Sequence, residues 1–261
     1  TILDNLSCGD PRNLNPKAAF KHIDLGDCET LADLSKDADL FFHLAAWPRI
    51  QPSFLQPLEH EQANVINTIR CLQAVTGSKI QKFIFSSSCA VYGRPQSFPV
   101  SEASPVAPTS PYALQKYAGE QYCMILGSQF DIPVIALRYF NVYGPRSFDV
   151  NNPFSSYSSV IGIFANQRNL GQPLAITGDG EQSRDFVHVT DVAQAFLAAA
   201  QTTFVNKIYN VGTGKSQSIN YLVKLLKGKK FYIPKRPGEP MYLKANISKI
   251  KKDLNWSPKI S

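Results

Sequence analysis

A doubly wound, Rossmann-type parallel α/β sheet with a smaller α/β cap is the fold the sequence predicts, and three observations predict it. Short apolar or β-branched runs alternate with helix-length stretches through the first half of the chain. These runs are apolar throughout rather than at every second residue, as strands buried on both faces require. Polar residues stand at the carboxyl ends of the runs, namely Asp4, Asp24, the Ser86–Ser88 triplet and Asn141. Doubly wound sheets bind their ligands beyond those ends.

Taken in order, strands are expected at Thr1–Leu3, Phe20–Asp24, Leu40–Leu44, Phe83–Ser86 and Val134–Tyr139. Helices are expected at Thr30–Lys36, Leu58–Thr76 and Pro111–Gln129. A βαβα rhythm of this kind implies right-handed crossovers and a parallel sheet. The character changes after Gly144-Pro145, where a polar stretch rich in Ser, Asn and Pro follows. Beyond it come an expected helix at Ser159–Asn169, a strand at Leu174–Thr177, a helix at Asp191–Gln201, a strand at Lys207–Val211 and a helix at Ile219–Leu226. Residues 1–145 are therefore read as the sheet domain and 146–261 as a cap partly interleaved with it.

Composition narrows the function classes. With 44% hydrophobic and 18% charged residues, the chain can fill a core and is not a disordered segment. The formal net charge of +7 is densest in the Lys-rich stretch 224–252. That stretch reads as a solvated face with a phosphate ligand rather than a polynucleotide track. The five cysteines are widely spaced, with no CxxC and no Cys/His pair at metal spacing, so free thiols in a reducing compartment and no metal are expected. No apolar run reaches the roughly 18 residues of a membrane span, and the cytoplasm is the expected location.

Chemistry enters with Tyr112 and Lys116, four residues apart at the start of an expected helix. That spacing places both side chains on one face. A tyrosine titrating near its usual value of about 10 is a poor base at neutral pH, but neighbouring positive charge favours its phenolate. Taken alone, Tyr-x-x-x-Lys is better read as amphipathic helix surface. Ser86, Ser87 and Ser88 add hydroxyls at a strand end, where one of them can hydrogen-bond a substrate oxygen. Turn chemistry explains such serines as well. His43, alone at a strand end, reads as structural.

The segments LDNLS (3–7), IDLGD (23–27), HLAA (43–46), SSSCAVYG (86–93), SPYALQKYAGE (110–120), RYFNVYGPR (138–146), GDGEQSRDFVHVTDVA (178–193), YNVGTG (209–214) and RPGEP (236–240) occur in that order. Through them the chain resembles the extended short-chain dehydrogenase/reductase family, in its nucleotide-sugar epimerase and dehydratase branch. The resemblance implies NAD as cofactor and a UDP-sugar as substrate. It implies that Asp4 and Asn5 hold the adenosine ribose, that Asp24 and Leu25 flank the adenine, and that Leu44, Ala45 and Ala46 pass under the pyrophosphate. Asn64 would support that region, and Ser86 and Tyr139 would border the nicotinamide beside Tyr112 and Lys116. On the substrate side, Ser88 would meet the sugar, while Asn141, Arg184 and Arg236 would meet the diphosphate. Guanidinium groups suit phosphate oxygens. Glu239 would meet the uridine ribose.

The residues after Ser88 bear on which reaction of the branch is carried out. Dehydratases of the family place Asp-Glu there, and decarboxylases and GDP-mannose dehydratases keep a Glu two residues on. This chain has Cys89 and Ala90, so the resemblance implies 4-epimerisation of a UDP-hexose, with Ser88, Tyr112 and Lys116 as the catalytic set. A reductase or another epimerase of the family, or a silent nucleotide-binding homologue, are the alternatives. In similar epimerases the gate beside the sugar C2 substituent falls near Tyr242 or Leu243. Leu243 matches best, and its size favours both gluco and N-acetylgluco forms.

Two further expectations concern assembly and the cofactor turn. Val65, Ile69, Leu72, Tyr117, Tyr122 and Ile125 give the helices at 58–76 and 111–129 apolar residues on more than one face. The resemblance implies that these helices pair with their copies in a homodimer. No glycine-rich fingerprint of the dinucleotide fold occurs in the chain. About one βα unit, roughly 30 residues, is therefore expected to be missing ahead of Thr1, and residues 1–261 alone are expected to bind NAD weakly or not at all.

Overall fold

A computed structural model describes residues 1–147, 159–235 and 240–260. The elements are β1 (Ile2–Asp4), β2 (Phe20–His22), α1 (Cys28–Ser35), β3 (Leu40–His43), α2 (Ile50–Leu55), α3 (Pro57–Glu61), α4 (Asn67–Val75), β4 (Lys82–Ser88), α5 (Pro111–Gln129), β5 (Val134–Tyr139) and β6 (Asn141–Tyr143). They continue with α6 (Val160–Asn169), β7 (Leu174–Thr177), β8 (Ser183–Arg184), β9 (Phe186–His188), α7 (Val189–Gln201), β10 (Lys207–Val211), β11 (Gln217–Ser218), α8 (Ile219–Leu226), β12 (Lys230–Ile233) and α9 (Ser248–Leu254).

The main sheet has the order β10-β5-β4-β3, and every pairing in it is parallel. β10 comes from the second half of the chain, so both halves build one sheet. β1 and β2 pair in parallel as a separate unit. Three two-stranded pairs, β6-β9, β8-β11 and β7-β12, form the cap side.

Alternation along the central strands distributes the core to both faces. Ile84, Ile135, Leu137 and Tyr209 pack on one face with Val187, Ala195 and Trp256. Phe83, Phe85, Val134 and Ala136 pack on the other with Leu72, Val75 and Cys123. Strands buried on both sides explain why these runs are apolar at every position. A third cluster, Phe164, Leu174, Ile176, Ile219 and Val223, lies under α6 and α8.

Local chemistry sets the helix ends. The Asp27 carboxylate accepts from the Thr30 amide at 3.2 Å, so α1 begins two residues before the expected Thr30. Ser110 caps α5 by accepting from the Ala113 amide, and Pro111 takes the first helical position, where a missing N–H costs nothing. The expected helix 58–76 runs from Pro57 to Val75 but widens into a π turn at Gln62–Ile66. Helix α2, with Pro52 inside it, and helix α9 carry no periodic signal long enough to be read from sequence.

The helix faces differ from expectation. Val65 and Leu72 are buried in the protomer, Leu72 within the core cluster, and Tyr117 packs against the other cluster. Tyr122 and Ile125 are exposed, together with Leu58, Ile66 and Leu114 on the same helices. Among the described residues, no helix is long and apolar enough to cross a membrane, and no cluster of His, Cys, Asp or Glu could hold a metal ion.

Candidate active site

Residues at the carboxyl ends of β4 and β5 and on the first turns of α5 make the centre of the site. Ser88 ends β4, and its hydroxyl accepts from the Ala90 amide at 3.2 Å, which starts the tight turn Cys89–Tyr92. Gly93 closes that turn at φ +59, where a side chain would strike the Ala107 carbonyl. The Tyr112 phenol lies near the Ser88 hydroxyl. Burial pushes its pKa up to about 12, and the Ser88 contact opposes that rise.

Lys116 sits one turn further along α5 and is 3% exposed. Its ammonium donates to the Ser86 carbonyl at 2.9 Å and stands 5.3 Å from the centre of the Phe85 ring. Burial lowers its pKa to about 8. Lys116 is thus tied to the strand end itself, one helical turn from the phenol. Close helix-to-strand packing makes this reach possible: a Cβ at Gly119 would come within 2.9 Å of the Phe85 ring.

A second hydroxyl pair adjoins the first. The Tyr139 phenol ends β5, in register with Ser88. It is buried without an aligned hydrogen-bond partner, although the nearby Ser86 hydroxyl lowers its pKa against the larger effect of burial. The Asn141 Oδ1 is likewise buried and unpartnered. Buried polar atoms without partners are uncommon, and two so close in sequence at the end of β5 and the start of β6 mark places where a ligand can complete the bonding.

The expected adenosine-side residues gather at the ends of β1 and β2. Asp4 Oδ1 accepts from the Leu6 amide at 2.7 Å, and Asn5 Nδ2 donates to Asp24 Oδ2 at 2.7 Å. The Gly26 amide closes the same turn onto Asp24, beside Leu25. A Cβ at Gly9 would lie 3.0 Å from both Asp4 carboxylate oxygens, so glycine keeps that carboxylate approachable. Leu44 is exposed at 55%, and Ala45 and Ala46 follow it as small residues at the end of β3. This donor and acceptor set fits a dinucleotide: a carboxylate for ribose hydroxyls, small residues for close approach, and unpartnered groups near the reactive end.

Asn64 ties these parts together from inside the π turn. Its Oδ1 accepts from the Trp47 amide at 2.7 Å, and its Nδ2 donates to the Trp47 carbonyl at 2.9 Å and to Gln115 Oε1 at 3.2 Å. The loop after β3 is therefore clamped to α5 between Tyr112 and Lys116. His43 is buried and neutral. Burial lowers its pKa to about 3, its Nε2 lies 2.8 Å from the Thr68 hydroxyl, and the role is structural, as its sequence position suggested.

On the cap side, Arg184 is 8% exposed, donates to the Ser183 carbonyl at 2.9 Å, and lines a recess with Thr177, Gln182, Lys235 and Met241. Its charge acts on the Cys89 thiol, one residue after Ser88. Arg236 and Glu239 lie outside the described residues.

Residues 1–212 match the family described as the NAD dependent epimerase/dehydratase family. The chain belongs to that family. It is 39% identical over 267 residues to a putative UDP-glucose 4-epimerase of Methanocaldococcus jannaschii, covering 99% of this chain and 85% of the relative. The UDP-glucose 4-epimerase of Thermotoga maritima, solved with UDP-glucose, superposes with a TM-score of 0.93 at 33% identity, over 99% of this chain and 85% of that one. The UDP-N-acetylglucosamine 4-epimerase of Methanobrevibacter ruminantium, solved with UDP-N-acetylmuramic acid, gives 0.91 at 36% identity, over 98% and 84%. The parallel Rossmann-type fold and NAD as cofactor follow for this family member.

Three site-supporting residues escaped the sequence reading. Ser53 on α2 is fully buried, and its Oγ accepts from the Tyr112 amide at 3.0 Å. Asp185 is fully buried behind Arg184 and accepts from the amides of Thr213, Gly214 and Ala245. Burial raises its pKa while those bonds oppose the rise. Glu120, eight residues after Tyr112, is the third. An acidic residue on the buried face of a helix was the available signal for it.

Proposed function

We propose that this protein epimerises C4 of a UDP-hexose through a transient 4-keto sugar. The observation that carries the reading is that the Ser88 and Tyr112 hydroxyls come near each other at the end of β4, followed at once by Cys89 and Ala90. Burial raises the Cys89 thiol to about 12, so it carries no proton at neutral pH that it could usefully exchange. With Cys89 and Ala90 where the dehydratases of the family carry carboxylates, the turn after Ser88 offers what oxidation and reduction need and no second acid/base for eliminating water.

In this mechanism Tyr112 takes the proton of the C4 hydroxyl while Ser88 holds the same oxygen. Lys116 supports the charge change from one turn below. NAD, when bound, supplies a hydride acceptor and donor. The C4–H bond breaks as the hydroxyl proton reaches Tyr112, leaving a C4 carbonyl. Return of hydride to the opposite face and of the proton from Tyr112 gives the C4 epimer, with no net redox change. Burial alone disfavours the Tyr112 phenolate; the Lys116 ammonium and, when bound, an oxidised nicotinamide would supply the positive charge that favours it. Arg184, with Arg236 and Asn141, holds the diphosphate while the sugar turns, and Glu239 holds the uridine ribose.

Both gluco and N-acetylgluco sugars are accepted in this reading. Leu243 is smaller than an aromatic gate and is buried with Cys89 in one cluster. Tyr242 is held aside, its ring edge-on to Phe98 at 4.4 Å and its hydroxyl accepting from Ser216 at 3.0 Å. The relatives include enzymes named for either sugar. A panel of UDP-galactose, UDP-N-acetylgalactosamine, UDP-arabinose and UDP-glucuronic acid with NAD tests this. Conversion of the first two is expected, and conversion of only the pentose or the uronic acid would overturn the sugar assignment.

The assembly proposed is a homodimer through the exposed helix faces that carry Leu58, Ile66, Leu114, Tyr122 and Ile125. Five large apolar side chains on neighbouring helices form a patch of the kind that protein contacts cover.

A further inference from the structure

Beneath the hydroxyl pair lies a fully buried ion pair that the mechanism above does not use. Glu120 is 0% exposed and Arg138 is 2% exposed. Arg138 Nη2 donates to Glu120 Oε1 at 2.6 Å, and Arg138 Nε donates to Glu120 Oε2 at 2.8 Å. The Ser87 hydroxyl donates to the same Oε2 at 2.7 Å. The Arg138 guanidinium lies 4.9 Å from the centre of the Tyr92 ring, and the Tyr92 hydroxyl donates to Asn210 Oδ1 at 2.7 Å.

The placement is what gives this pair meaning. Glu120 stands on α5, four residues after Lys116 and eight after Tyr112, so all three share one helix face. Ser87 lies between Ser86, which accepts from Lys116, and Ser88, which meets Tyr112. Arg138 precedes Tyr139, and Ser87 and Arg138 are direct partners in the β4–β5 register. One carboxylate thus bonds at once to the strand holding the serines and to the strand holding Tyr139, from the helix holding the base. A buried ion pair is weak evidence for stability, because apolar residues of similar volume often replace one without loss; a defined geometry is a better reason to look for.

We propose that Glu120 and Arg138, with Ser87, are positioning residues that fix α5 against the ends of β4 and β5 and so set the Ser88–Tyr112 and Lys116–Ser86 contacts. The proposal rests on the reading of Ser88, Tyr112 and Lys116 as the reacting set. The titratable groups that interact with Lys116 are Cys123 on α5 and the neutral His43 on β3, and neither is altered in the variants below. Removing Glu120 and Arg138 together leaves the net charge around Lys116 unchanged, so a changed Lys116 titration then reports geometry rather than a lost charge.

The test compares the full chain with the double variant Glu120→Leu/Arg138→Met, and with Ser87→Ala as a milder break. Turnover of UDP-galactose with NAD gives kcat and KM, and NMR of 15N-labelled lysine gives the Lys116 titration without any substrate. In the folded double variant kcat is expected to fall at least tenfold, with KM within twofold. The Lys116 titration is expected to rise from about 8 towards the ordinary lysine value. A folded double variant with unchanged kcat and unchanged Lys116 titration would overturn the proposal. If the double variant does not fold, Ser87→Ala decides by the same readouts: a threefold or larger fall in kcat with a raised Lys116 titration supports it, and no change in either overturns it. A wild-type chain inactive on every UDP-sugar would count against the proposed activity, and the Lys116 titration would then decide the positioning role by itself.

Discussion

Replacing Lys116 with methionine should make the protein more stable and inactive at the same time. Burial lowers the Lys116 pKa from 10.5 to about 8, which at 1.36 kcal/mol per pKa unit is a cost of about 3 kcal/mol for keeping the ammonium charged. The unfolded chain holds this proton up to pH 10.5, whereas the folded protein releases it near pH 8. The unfolded state therefore binds more protons between those values, and the cost, fully present below pH 8, is relieved as pH rises to 10.5. Methionine fills similar volume without the charge but loses the bond to the Ser86 carbonyl and the contact with the Phe85 ring, an offset of about 1 kcal/mol. The net gain is about 2 kcal/mol at pH 7, or a Tm higher by about 4 °C in a chain of this size. Urea unfolding of both proteins at pH 7 and pH 10 is the assay. The advantage of Lys116→Met should shrink to under about 1 kcal/mol at pH 10. A variant no more stable than wild type at pH 7, or an advantage that does not change with pH, would refute the reasoning.

Other outcomes follow from the same geometry. Tyr112→Phe removes the proton acceptor and should lower kcat by about two to four orders of magnitude at little change in melting temperature, read by a coupled epimerase assay; a loss under about tenfold would remove Tyr112 as the base. Asp185→Ala strands the amides of Thr213, Gly214 and Ala245 and should cost about 3 kcal/mol in urea unfolding, whereas a surface substitution stays within about 0.5 kcal/mol. Ile125→Asp, at an exposed position on α5, should leave the melting temperature of the protomer unchanged while light scattering at micromolar concentration shifts from dimer to monomer.

Much of the fold was legible because burial on both faces writes an unbroken apolar run. Val134–Tyr139, Leu174–Thr177, Lys207–Val211 and the helix Pro111–Gln129 stand where the sequence placed them. Short elements were not legible. β8 and β11 have two residues each, too few for any period, and exist because antiparallel partners hold them. The helix faces were harder still, because periodicity says that Leu72 and Ile125 are both apolar without saying which one meets its own protomer. In the site, Ser88, Tyr112 and Lys116 could be named from spacing and motif. Their supports could not: Ser53, Asp185 and Arg138 act across 59, 28 and 18 residues of sequence, through bonds that only the tertiary fold creates. The bond from Lys116 to the Ser86 carbonyl was likewise beyond what the four-residue spacing could show.

The central claim is that one hydride leaves C4 and returns to it. UDP-galactose carrying deuterium at C4, incubated with the protein and saturating NAD in ordinary water, tests this directly. The mechanism requires UDP-glucose that keeps its deuterium at C4, with no net accumulation of reduced cofactor. Loss of the deuterium to solvent, or its build-up in reduced NAD beside a 4-keto product, would contradict it.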